Sequence, residues 1–183
     1  MKRVALLAIV AVSPAIAYAQ VSSMDIDTVA LGAPAKARAA TTIIRWHADH
    51  ATYDTLRQGT NKLVCFDRSG FPEQQPFSIE CTTLTNLPRV VQTMKFESAD
   101  DRKRTMALID AAEKDGTRIK PEFGSVFYHF VGPDKEHARA EMTIFVPGAT
   151  SAMLGGLPER NTHDGAWLMD AGKTSAHIMT PGD

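Results

Sequence analysis

The sequence predicts a single α+β domain, mainly an antiparallel sheet with one or two helices inserted midway. Three observations carry this. Short runs rich in β-branched and aromatic residues recur along the chain, the period changes to helical between about residues 86 and 115, and glycine- and proline-marked turns separate the runs. Strands before, helices between and strands after describe a sheet with helices gathered on it. A β-sandwich decorated with helices is the alternative arrangement.

The first 19 residues stand apart. Met1-Lys2-Arg3 is basic, residues 4–12 are unbroken apolar, and Ala17-Tyr18-Ala19 fits a small-x-small cleavage rule. A signal peptide cleaved after Ala19 is expected, leaving Gln20 first in a chain of 164 residues (183 minus 19) that is periplasmic or secreted. Without Lys2 and Arg3, 18 basic residues face 21 acidic ones, a formal charge of −3. That balance offers nothing to a nucleic acid partner, and no integral membrane segment is expected. Residues 20–40, rich in Ala, Ser, Gly and Asp and without sustained periodicity, read as a flexible N-terminal arm, and 41–183 as the domain.

Within the domain, Thr41-Thr42-Ile43-Ile44-Arg45-Trp46 suits a strand. Residues 53–57 and 62–66 read as two more, forming a hairpin about the turn Gly59-Thr60-Asn61. The two cysteines follow. Cys65 lies in Leu63-Val64-Cys65-Phe66 and Cys81 after Phe77-Ser78-Ile79, with Asp67, Ser69, Gly70, Pro72 and Pro76 marking a loop between them. In an oxidising compartment these thiols are expected to close a structural disulfide. A metal-thiolate pair or a redox couple is the other possibility, but the C-x-x-C spacing of either is missing.

Asn86 is placed to cap a helix with Pro88 in its first turn and Val90, Val91 and Met94 on one face. A second helix starts near Ser98, Asp100 and Asp101 and ends at Gly116. Its expected apolar stripe is Met106, Ile109 and Ala112, with Lys103, Arg104 and Glu113 towards solvent. Residues 123–131 read as a central strand, and 141–146 as its antiparallel partner across the turn at Gly132-Pro133-Asp134. Residues 149–154 suggest a helical turn or two, and 166–169 and 176–179 two short closing strands.

The chemistry is sparse. His47 and His50 stand three apart without the glutamate of a zinc-protease helix. His129 alternates with Phe127 and Val131 on a strand, His163 sits in a turn-rich loop, and His177 lies two residues before Met179. Imidazole and thioether together suit copper, so copper or zinc on a histidine cluster is the alternative to a chain without cofactor. Asp67, Glu80, Glu141 and Asp164 are scattered carboxylates whose meeting only a fold can decide. There is no nucleophile elbow, no phosphate-cradling glycine loop and no covalent haem motif. No catalytic residue is assigned, and the balance is against an enzyme.

Leu56-Arg57-x-Gly59-Thr60-Asn61, Cys65, a proline-containing loop and Cys81 resemble the core of an uncharacterised family of exported bacterial proteins. Asn161-Thr162, Trp167 and His177-x-Met179-x-x-Pro181 resemble its C-terminal half. Leu63 stands where that family has an aromatic residue, and His163 where it has an acidic one. The resemblance implies export and the fold unit, brings no reaction, and adds Asn161 to His177 as a candidate. The expectation is a binding or accessory module for a small molecule or an envelope protein. A metal protein or enzyme built on His177 with His129, His163 or His47 is the alternative.

Overall fold

The computed structural model describes residues 25–99, 101–161 and 165–180. The expected leader and its cleavage site lie outside them, as do His163 and Pro181.

Eight strands form one sheet: β1 (Thr42–Trp46), β2 (Tyr53–Arg57), β3 (Leu63–Asp67), β4 (Phe77–Thr83), β5 (Val126–Gly132), β6 (Arg139–Phe145), β7 (Trp167–Met169) and β8 (His177–Thr180). Their spatial order is β2-β1-β3-β4-β5-β6-β8-β7. Every neighbouring pair is antiparallel except β1 and β3. The domain is therefore α+β with a mainly antiparallel sheet, and the sandwich alternative fails because all strands join a single sheet.

The expected hairpin of β2 and β3 is not formed. β1 lies between them, antiparallel to β2 and parallel to β3. The connecting residues cross the start of β1, where the Thr60 and Asn61 amides donate to the Ala40 carbonyl at 2.8 and 3.0 Å. Gly59 makes the crossing fit, since a Cβ there would stand 2.3 Å from the Ala40 oxygen. Glycine was read as a turn residue, whereas here it permits close backbone approach.

Side chains alternate across the sheet. On one face Ile43, Cys65, Ile79 and Cys81 are wholly buried, and Val29, Ala30 and Ala33 pack on them. These last three belong to the segment expected to be an irregular arm. From Asp25 it forms the short helix α1 (Ile26–Ala30), started by the Asp25 carboxylate accepting from the Thr28 amide at 2.7 Å. Cys65 and Cys81 sit directly opposite each other in β3 and β4 and are joined by a disulfide.

The other face carries Ile44, Val64, Phe66, Phe127 and Phe145, covered by Leu87, Val90 and Met94 of α2 (Leu87–Glu97). Asn86 precedes α2 as expected, but its side chain turns away from the helix and donates to Thr82 and Ser125 at 2.9 and 3.0 Å. α3 (Arg102–Asp115) packs on α2 and begins at Asp101, whose carboxylate accepts from the Arg104 amide, and Gly116 closes it with φ +76°. Its buried residues are Thr105 and Ala112. Met106, expected in the apolar stripe, is 43% exposed, because α3 rests on the helix layer along a narrower line than a sheet-facing helix would. Among the described residues no helix is long and apolar enough to cross a membrane.

Candidate functional site

α2 packs on Ile44 of β1, Val64 and Phe66 of β3, Phe127 of β5 and Phe145 of β6, and leaves beside it a strip that carries His129, Glu141, His177 and Met179. The uncovered strip and the flank of α2 enclose a groove of about 500 Å³. Its floor follows from strand register. Glu80 of β4 faces His129 of β5, which faces Glu141 of β6, so all three lie in one row across the strands. Further along β6 come Thr143 and Phe145, the latter opposite His177 of β8. Phe127, Phe145, Met179 and Met169 give the floor an apolar middle.

The wall is set by helical spacing. Arg89, Thr93 and Glu97 follow one another at four-residue steps and so share a face of α2, beside the buried Val90 and Met94. Arg118, just beyond α3, reaches into the same wall.

Each end of the groove has its own charge. Arg89 and Arg118 are both 6% exposed, and neither touches a carboxylate at ion-pair distance among the described residues. Arg89 donates to the Ile119 carbonyl and stands over the Phe145 ring, 5.7 Å from its centroid. Arg118 donates to Gln92 Oε1 at 2.9 Å and Thr93 Oγ1 at 2.8 Å, while its buried Nε has no partner among the described residues. Burial, and then the like charge of Arg118, lower the pKa of Arg89 to about 10. Arg118 is also held below its ordinary value, by burial. Glu113 and Asp170 act on both guanidiniums, and Glu97 on Arg118, without reaching ion-pair distance, so the negative charge around these two buried cations answers them only in part.

The other end is acidic. Arg68, 2% exposed, binds Glu97 and stands 3.5 Å from Glu80. Glu80 in turn stands 3.9 Å from the His129 ring. Burial, opposed by Arg68 but reinforced by Glu80 and Glu73, holds Glu97 above its ordinary value of 4.5. Several carboxylates share one guanidinium there, so burial outweighs the direct ion pair. Glu141 makes no ion pair among the described residues and is half-buried.

The expected site residues separate. His129 and His177 both line the groove, the first stacked on Phe127 and the second edge-on to Phe145. Their register partners, Glu141 and Phe145, are four residues apart on β6, which puts the imidazoles about 14 Å apart along the strands. That is too far to share one ion. His177 Nδ1 donates to the Ser175 carbonyl at 2.7 Å, so its neutral ring presents Nε2 as an acceptor. His47 is exposed at the end of β1, bonded to Thr52 and 3.1 Å from Asp54, away from the groove. His50 stacks on Phe71. Asn161 is exposed in the loop before β7. Among the described residues no three His, Cys, Asp or Glu side chains are grouped to hold a metal ion. The cysteines are paired, which removes a thiolate site.

Sequence reading missed Arg89, Arg118, Arg68 and Glu97. One signal was present: the stripe Arg89-Thr93-Glu97 runs at helical spacing next to the apolar one, as a helix bordering a polar cavity requires. Comparison of the chain with known protein families, with characterised proteins and with solved structures finds no match in any of the three.

Proposed function

We propose that this is an exported binding module whose groove takes a small organic anion with an apolar body. The observation that carries the reading is the Arg89–Arg118 pair, buried in the wall of a 500 Å³ groove without a contacting carboxylate. A groove of that size, with aromatic and methionine side chains on its floor and a few polar groups converging on it, is the usual form of a small-molecule site. A carboxylate or phosphate between the two guanidiniums would accept charge-assisted hydrogen bonds and relieve their mutual repulsion. Phe145 beneath Arg89 would carry the adjoining apolar part. Export is supported by the leader-like first 19 residues and by the Cys65–Cys81 disulfide, and it accords with the resemblance to exported bacterial proteins. The reading is of binding, because the groove's described lining supplies charge and apolar surface for holding a ligand.

The test is calorimetric titration of the purified protein with octanoate and, as a neutral match, octanol. Octanoate should bind and octanol should bind at least about tenfold more weakly, a hydrogen-bonded charge being worth roughly 1.5–3 kcal/mol. Arg89→Met and Arg118→Met should each remove most of that preference. Equal binding of octanoate and octanol, or octanoate binding that survives both substitutions, would sink the reading.

A further inference from the structure

The groove is electrically polarised along its length, and this bears on what else a ligand carries. At one end stand Arg89 and Arg118, in contact with no carboxylate among the described residues, although Glu113 and Asp170 act on both from farther off. At the other, Glu73, Glu80, Glu97 and Glu141 face only two guanidiniums, Arg68 and the exposed Arg102, with His129 among them. With all four ionised, four carboxylates against two arginines leave two negative charges uncompensated while His129 is neutral, and one while Glu97 keeps its proton.

The two ends are a fixed distance apart by two independent rulers. Along α2, Arg89 to Glu97 is eight residues, about 12 Å at helical rise. Along β6, Phe145, beneath Arg89, to Glu141 is four residues, about 14 Å at strand rise. The rulers point the same way, since Glu97 meets Arg68 and Glu80 in the row that Glu141 completes. Between the ends the floor is apolar: Phe127, Phe145 and Met179, with Thr143 among them.

Building on the anion reading above, we infer that the groove takes an elongated zwitterion, its anionic head at Arg89 and Arg118 and an ammonium at Glu141 and His129, joined by an apolar middle. Glu141 is the acceptor for the ammonium because it has no ion-pair partner among the described residues, whereas Glu80 and Glu97 are held by Arg68. His129 stands beside it in register and supplies a second acceptor when neutral. A dianion is disfavoured, since its second charge would meet the acidic row. A plain fatty anion leaves that row unanswered. The geometry selects by charge at both ends and by length between them.

Matched linear probes separate this from the anion reading. The protein is titrated calorimetrically with octanoate and with the ω-aminoalkanoates from aminohexanoate to aminodecanoate. The longer aminoalkanoates should bind about two- to fivefold more tightly than octanoate, the exchange expected of a partly exposed ion pair, with affinity peaking within the series. Glu141→Gln, a substitution of equal size, should bring aminooctanoate and octanoate to near-equal affinity. If octanoate binds and the aminoalkanoates at every length bind no better, the zwitterion is overturned and the anion site stands. If Glu141→Gln leaves the preference intact, the inference also fails. If neither class binds, or both bind unaffected by Arg89→Met and Arg118→Met, both readings fall.

Discussion

Glu97 shows how far one residue's titration can be read. Its carboxyl is half-buried at the end of α2, bound to Arg68 but close to Glu80 and Glu73, and its pKa lies above 4.5. Between the ordinary value and the raised one, the folded chain keeps a proton that the unfolded chain has lost. Stability therefore falls as pH rises through that window, the reverse of a salt-bridged carboxylate with a lowered pKa. Asp67, raised by burial, adds a decline of the same sign. Glu97→Gln should flatten the loss of stability that sets in as pH rises above the ordinary value of 4.5. Urea midpoints of the two proteins across that range check it, and since only the difference is read, the exposed carboxylates cancel. Parallel curves would show that Arg68 holds Glu97 fully ionised.

At the scale of elements, the strands were legible and their partners only in part: β6 was read as the antiparallel partner of β5, as the structure has it, whereas β3 was paired with β2. β2 spans the same residues, Tyr53–Arg57, in sequence and structure, and β6, β7 and β8 lie within a few residues of expectation, because alternation and turn residues are local signals. The place of β1 between β2 and β3 is not local. A Gly-Thr-Asn connection reads equally as a hairpin turn or as a crossing, and what decides is whether β1 stands in the way. α1 was lost for a similar reason, since Val29, Ala30 and Ala33 are too few to show a period but enough to cover Ile79 and Cys81. The groove was half legible: His129, His177, Glu80 and Glu141 were noticed singly, and only the pairing of β4, β5 and β6 puts three of them in a row. The crossing makes its own prediction. In Gly59→Ala the new Cβ would meet the backbone at 2.3 to 2.5 Å on Ala40, Thr41 and Thr42. Backbone cannot yield as a side-chain tip does, so the substitution should cost at least about 1–3 kcal/mol, seen as a lower urea midpoint. An unchanged midpoint would mean that β2 and β3 do not pass β1 this way.

For the molecule as a whole, the disulfide asks why a chain able to bury a full core should need one. Cys65 and Cys81 are already neighbours in two adjacent interior strands, both wholly buried, with α1 and the residues after it lying over them so closely that a Cβ on Gly32 would stand 2.9 Å from Cys81 Sγ. The sheet would hold this pair together without the bond. The bond's effect is then mostly on the unfolded chain, where closing a loop with a sequence separation of 16 removes conformations worth about 3 kcal/mol by chain-entropy arithmetic. The double substitution Cys65→Ala with Cys81→Ala should therefore still fold, lose stability by roughly that amount, and loosen first where α1 rests on the vanished sulfurs, as faster amide exchange over residues 26–33. The same bond bears on the proposed export, because a reducing compartment would yield only the weaker form. Protein recovered from the cell envelope should begin at Gln20 and weigh two hydrogens less than its reduced form. An intact leader on that protein would end the export reading. Equal urea midpoints for the oxidised and cysteine-free proteins would mean that the sheet, with α1 clamped on it, does the work assigned to the bond.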